Sequence, residues 1–155
     1  MPKMTDIVAL QQSEQPTLAI RIRTSMDKLP LVIGESYGQI AQYLQELGQL
    51  PAEMPFVCYY NLDMQDLDVE IGFPVAEALP DRNVIKAGKI PAGYVVVCLY
   101  RGPYAEMAPV YEEMAAWINA NGYQPLGPVY EQYCNGPGWP ESELLTKIVM
   151  LVAQK

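Results

Sequence analysis

The sequence predicts an α+β fold made of two copies of a βαββ unit, on three observations. Two amphipathic segments match each other at a constant offset of 74 residues, from Tyr37 to Tyr111. Each is preceded by one strand-like run and followed by two more. The stretch between the copies, AEALPDRNVIKAGKIPAG (76–93), is rich in Pro, Gly and charge and reads as a linker. One such unit would leave a sheet edge exposed. Two can join edges into one antiparallel sheet with both main helices on one face, leaving a ligand groove along the pseudo-twofold on the other. The expected organisation is a single domain over 1–155, with repeat 1 at about 17–75 and repeat 2 at about 94–152.

The first strand is TLAIRIR (17–23), and its counterpart is YVVVCLY (94–100). The helices follow. In ESYGQIAQYLQELGQLP (35–51) apolar residues fall at 37, 40, 41, 44 and 47; in APVYEEMAAWINANGYQP (108–125) they fall at 110, 111, 114, 115 and 118. Both spacings make one apolar face at 3.6 residues per turn. Gly48 and Gly122 stand where a left-handed cap ends a helix, and Pro51 and Pro125 follow. Pro109 suits a first helical turn. The remaining strands are PFVCYY and DLDVEIGFPV in the first copy, PVYEQY and ELLTKIVMLV in the second. Phe56, Cys58 and Tyr60 are aligned with Val129, Glu131 and Tyr133 at an offset of 73, and Ile71 with Ile148 at 77.

Composition excludes several classes of function. The chain has 155 residues, a net charge of −8 and no Lys/Arg cluster, so it lacks the basic footprint that nucleic acid requires. No apolar run nears the roughly 20 residues of a membrane helix, and no signal peptide follows Lys3, so a cytoplasmic location is expected. Histidine is absent. That removes Ser-His-Asp and Cys-His catalysis, His-ligated zinc and His-ligated haem, and no metal or cofactor is expected. Neither GxGxxG nor GxxxxGK occurs. The three cysteines, Cys58, Cys98 and Cys134, are widely spaced and read as reduced thiols.

Eleven Tyr and two Trp against two Phe point to surfaces that are apolar yet carry polar tips, as pockets and interfaces do. Within PVYEQY, Glu131 shares a strand face with Val129 and Tyr133. Either that face is wet and the acid ordinary, or it lines a cavity in which an acid has a task. Tyr60 and Tyr133, taken as equivalent, could sandwich a flat ligand or simply pack across strands. Tyr37 and Tyr111 open the two helices and either close the ends of a pocket or seat helix on sheet. Trp139, between Gly138 and Pro140, suits an exposed aromatic lid.

Asp68, Glu70, Gly72, Pro74 and Val75 (DxExGxPV), RGPY at 101–104, YExY at 130–133 and ELLTKI at 143–148 occur in this order on a duplicated frame. In this the chain resembles the GyrI-like small-molecule-binding family, which includes effector-binding domains of AraC-type and multidrug-sensing MerR-type regulators. The resemblance covers roughly 17–152 and suggests a standalone member. It implies a site for lipophilic, often cationic aromatic compounds, with Glu131 as acidic anchor and Tyr133, Tyr60, Tyr37, Tyr111 and Trp139 around the ligand. Sensing or sequestering a drug or toxin is then the expected function. The alternatives are a metal-free hydrolase of strained, cyclopropane-type electrophiles, with Glu131 catalytic beside a Tyr, and a gyrase-interacting protective protein. Partners would be the small molecule and a regulator or gyrase, in a monomer or homodimer. Lys147 stands where family chains often carry an acid, which leaves it the choice of pairing with Glu131 or facing solvent.

Overall fold

The computed structural model describes residues 5–136 and 138–155. The chain forms two compact units: unit 2 is Glu14–Pro91, and unit 1 is Met1–Ser13 with Ala92–Lys155. Each is an antiparallel sheet carrying one long helix, the α+β duplication that the periodicity predicts.

Unit 2 holds β2 (Gln15–Thr24), α1 (Leu29–Glu46), β3 (Phe56–Tyr59), β4 (Leu67–Pro74) and β5 (Lys86–Ile90), in sheet order β3-β4-β2-β5. The helix begins a turn and a half before Glu35, because Pro30 is tolerated in the first turn and Leu29 already belongs to the buried stripe. It ends as predicted. Gly48 takes φ 68°, its N–H reaching the Gln45 carbonyl while the Gln49 N–H reaches that of Leu44, which is a Schellman motif. Ile40, Tyr43 and Leu44 pack on Leu18 and Ile20 of β2, with Val75 and Ile85.

Unit 1 holds β1 (Val8–Gln12), β6 (Gly93–Arg101), α2 (Ala108–Ala120), β7 (Tyr123–Tyr133) and β8 (Leu145–Gln154), in order β1-β6-β8-β7. Val110, Met114 and Ile118 of α2 pack on Val96, Cys98 and Tyr100 of β6 and on Ile148, Met150 and Val152 of β8. Gly122 is again left-handed, at φ 82°.

Two strands lie outside the expected plan. Residues 76–93, expected as a linker, contain β5, which pairs with β2 from Gln15 opposite Ile90 to Ala19 opposite Lys86. The N-terminal run VALQQ forms β1, paired with β6 from Val8 opposite Val97. Each arm precedes the first strand of one repeat and completes the sheet of the other unit. The repeats therefore exchange their N-terminal strands.

Candidate functional site beneath the second helix

The register of β7 on β8 sets Val129 opposite Met150, Glu131 opposite Ile148 and Tyr133 opposite Thr146. Residues directly opposite in an antiparallel pair share a face. Ile148 and Met150 belong to the core under α2. Glu131 therefore points toward its own helix rather than to the sheet face away from it, where the groove was expected.

Glu131 is 8% exposed and carries two hydrogen bonds. The Tyr111 hydroxyl, on the first turn of α2, donates to Oε2 at 2.5 Å. The Tyr133 hydroxyl, two residues along the same strand, donates to Oε1 at 2.9 Å. The Tyr104 ring stands edge-on to that of Tyr133 at 5.6 Å. Tyr104 opens a short 3-10 turn, Tyr104–Glu106, after Gly102 and Pro103, which follow the last residue of β6, Arg101.

No Lys or Arg among the described residues pairs with Glu131. Lys147 is placed opposite Gln132, on the other face of the sheet, so it does not reach the acid. Burial pushes the Glu131 carboxyl above its ordinary value, and the tyrosine hydrogen bonds pull it part of the way back. Burial also raises the Tyr104 phenol, with the nearby Glu131 charge adding to the effect. Thr146 is fully buried beside Tyr133, and its hydroxyl has no hydrogen-bond partner among the described residues.

The structure thus brings Tyr111 and Tyr133 to Glu131 and adds Tyr104 and Thr146, which sequence reasoning did not single out. The RGPY string was the available signal for Tyr104. Nothing in the sequence marks the Thr146 hydroxyl as unsatisfied.

Tyr60 is a correction. Val57 lies opposite Ile71, and Tyr59 opposite Val69. With Ile71 equivalent to Ile148, the counterparts of Glu131 and Tyr133 are Val57 and Tyr59, at the same offset of 74 as the helices rather than 73. A one-residue slip turns every side chain to the other face. Tyr60 accordingly lies on the face of unit 2 away from α1, its hydroxyl donating to Glu70 Oε1 at 2.7 Å and its ring 3.9 Å from the Arg21 guanidinium.

Tyr37 sits within unit 2, donating to the Phe56 carbonyl at 2.8 Å with its ring 5.1 Å from Phe73. Trp139 is 56% exposed in the loop before β8. Pro137 of the same loop lies outside the described residues. Among the described residues no group of three or more Cys, Asp and Glu is arranged to hold a metal, and no helix is long and apolar enough to cross a membrane.

Fold and site together define a duplicated α+β module with a tyrosine-bonded acid buried beneath its second helix. The chain matches the GyrI-like small molecule binding domain over residues 5–153 and belongs to that family. No curated protein matches it. Among solved structures, EcmrR in its DNA complex superposes with a TM-score of 0.84 at 20% identity, over 97% of this chain and 58% of that one. The chain thus spans little more than half of EcmrR. The isolated EcmrR C-terminal domain gives 0.81 at 20% identity, covering 97% and 98% of the two chains. SAV2435 bound to tetraphenylphosphonium gives 0.61 at 12% identity over 96% and 95%, and a hydrolase from Listeria innocua gives 0.70 at 16% over 99% and 94%. At such identities these likenesses concern the fold.

Proposed function

We propose that the chain binds lipophilic aromatic cations, with Glu131 as the acidic anchor and Tyr111, Tyr133 and Tyr104 as its aromatic surround, and so senses or sequesters a drug or toxin. One observation carries this reading: the Glu131 carboxylate is buried with two tyrosine hydroxyls and with no Lys or Arg partner among the described residues. An isolated buried carboxylate costs several kcal/mol or is driven neutral. A ligand cation relieves that cost, and each tyrosine face it meets adds roughly 0.5–2 kcal/mol. Binding of tetraphenylphosphonium by SAV2435, a protein of similar fold, supports the ligand class. Because Glu131 is covered, ligand entry requires a tyrosine ring to swing aside. Tyr104, 47% exposed, is the outermost of the three.

The test is a fluorescence titration with tetraphenylphosphonium and neutral triphenylphosphine oxide, on wild type and on Glu131→Gln. The expected result is preference for the cation, weakened at least about tenfold, or 1.4 kcal/mol, in the variant. Equal binding of both compounds, or an unaffected variant, sinks the reading.

A second reading rests on the Tyr111–Glu131 hydrogen bond. A buried carboxylate can take a proton from a water that attacks a ring carbon of an activated cyclopropane, without a metal. The ring C–C bond breaks and its electrons pass to the conjugated carbonyl oxygen, which a neighbouring tyrosine hydroxyl stabilises by hydrogen bonding and water then protonates. Following an activated cyclopropane compound by mass spectrometry separates turnover from stoichiometric binding.

A further inference from the structure

The two exchanged arms end their sheets very differently. β5, KAGKI, edges unit 2 with Lys86 and Lys89, and Lys89 is held by Glu14 at 3.0 Å. Edge lysines are a common guard against strand addition, because a second edge brings like charge against them. β1, VALQQ, edges unit 1 and has no charged residue, no proline and no bulge in its pairing with β6. Val8 and Leu10 lie opposite Val97 and Val95, on the sheet face away from α2, and stand 43% and 48% exposed. An uncharged edge of ordinary length with two exposed apolar side chains is a template for one more strand.

We propose that β1 is an interaction surface for a second copy of this chain, the two β1 strands pairing antiparallel about a two-fold axis at Ala9. In that register Val8 faces Leu10 of the partner subunit on both sides of the axis, and Gln12 faces Asp6 of the partner subunit, so no two like charges meet. Moving the axis one residue, to Leu10, would set Asp6 against Glu14 of the partner subunit, which is unfavourable. The neutrality of the strand matters because each chain carries −8, so the strand offers the copy a charge-free approach. The association is weak and strengthens as salt screens the remaining repulsion.

Sedimentation velocity over a range of protein concentrations, in about 0.05 and 0.5 M NaCl, measures it in the full chain. The expected result is a dimer that grows with concentration and with salt, and that weakens at least about tenfold in Leu10→Lys. Far-UV circular dichroism checks that this variant is folded. Register is read by disulfide trapping in a Cys134→Ser background. Ala9→Cys places its twins about 5 Å apart across the axis and cross-links; Gln11→Cys places them about 13 Å apart and does not. A monomer at every concentration, a dimer indifferent to Leu10→Lys, or equal trapping at the two positions overturns the proposal.

Discussion

Glu131 and Thr146, with Gln132, are the polar side chains that unit 1 buries at a cost among the described residues. For Glu131, burial lifts the folded-state pKa above that of the unfolded chain, so a penalty attaches to the charged folded form. That penalty is present above the folded pKa and fades as pH falls through it toward the unfolded value. Wild type should therefore gain stability relative to Glu131→Gln as pH drops across that window, measured by urea denaturation at a series of pH values. A gap that moves the other way would mean that the tyrosine hydrogen bonds outweigh burial. Cation binding should weaken over the same window as the carboxylate takes up its proton. For Thr146, an isosteric Val removes a hydroxyl that has no partner among the described residues. Thr146→Val should stabilise the ligand-free protein by about 1 kcal/mol in the same denaturation measurement. A loss of that size would show the hydroxyl to be satisfied.

At the scale of elements, the backbone of β4 meets β2 so closely that Gly72 has no room for a side chain. A Cβ there would stand 2.3 Å from the Leu18 carbonyl oxygen and 2.7 Å from the Ala19 Cβ. Gly72→Ala should cost about 1–3 kcal/mol, since two paired strands must shift. Gly38, exposed midway along α1 with nothing within 4 Å, supplies the contrast. Gly38→Ala should gain roughly 0.5–1 kcal/mol, and thermal unfolding of the two variants reads both signs. The Gly72 contact gives the DxExGxPV string a physical basis that sequence alone does not supply.

Helices and central strands were legible because a buried stripe leaves a period, and both glycine caps were legible because few residues tolerate positive φ. Edge strands leave no such mark. β5 buries only Ile90 of its five residues, so its Lys and Gly read as linker. The pairing of Tyr60 with Tyr133 failed because PFVCYY carries apolar or aromatic residues on both faces, so its own pattern does not choose between offsets of 73 and 74. Glu131 was legible as a question, since an acid in an apolar strand has few roles. Its bond to Tyr111 was not, because it depends on which sheet face the helix covers.

At the scale of the whole molecule, chain order and unit membership part company. Residues 1–13 lie at one end of the sequence yet belong with residues 92–155. They supply the edge strand beside β6 and place Ile7, 8% exposed, in the core that α2 caps. A chain beginning at Glu14 keeps every strand of unit 2 and takes from unit 1 both β1 and that core residue. Burying an Ile contributes about 1.5–3 kcal/mol, and for a chain of this size each kcal/mol shifts Tm by about 2–4 °C. The truncated chain should thus melt roughly 3–12 °C lower. The loss should also be local. Hydrogen exchange should quicken in β6, whose outer N–H and C=O groups lose their partners, and stay as it was in β2 and β4, although β2 is the strand next to the cut in sequence. Faster exchange in β2 with β6 unchanged would mean that the arm stabilises its sequence neighbour, and the exchanged topology would be wrong.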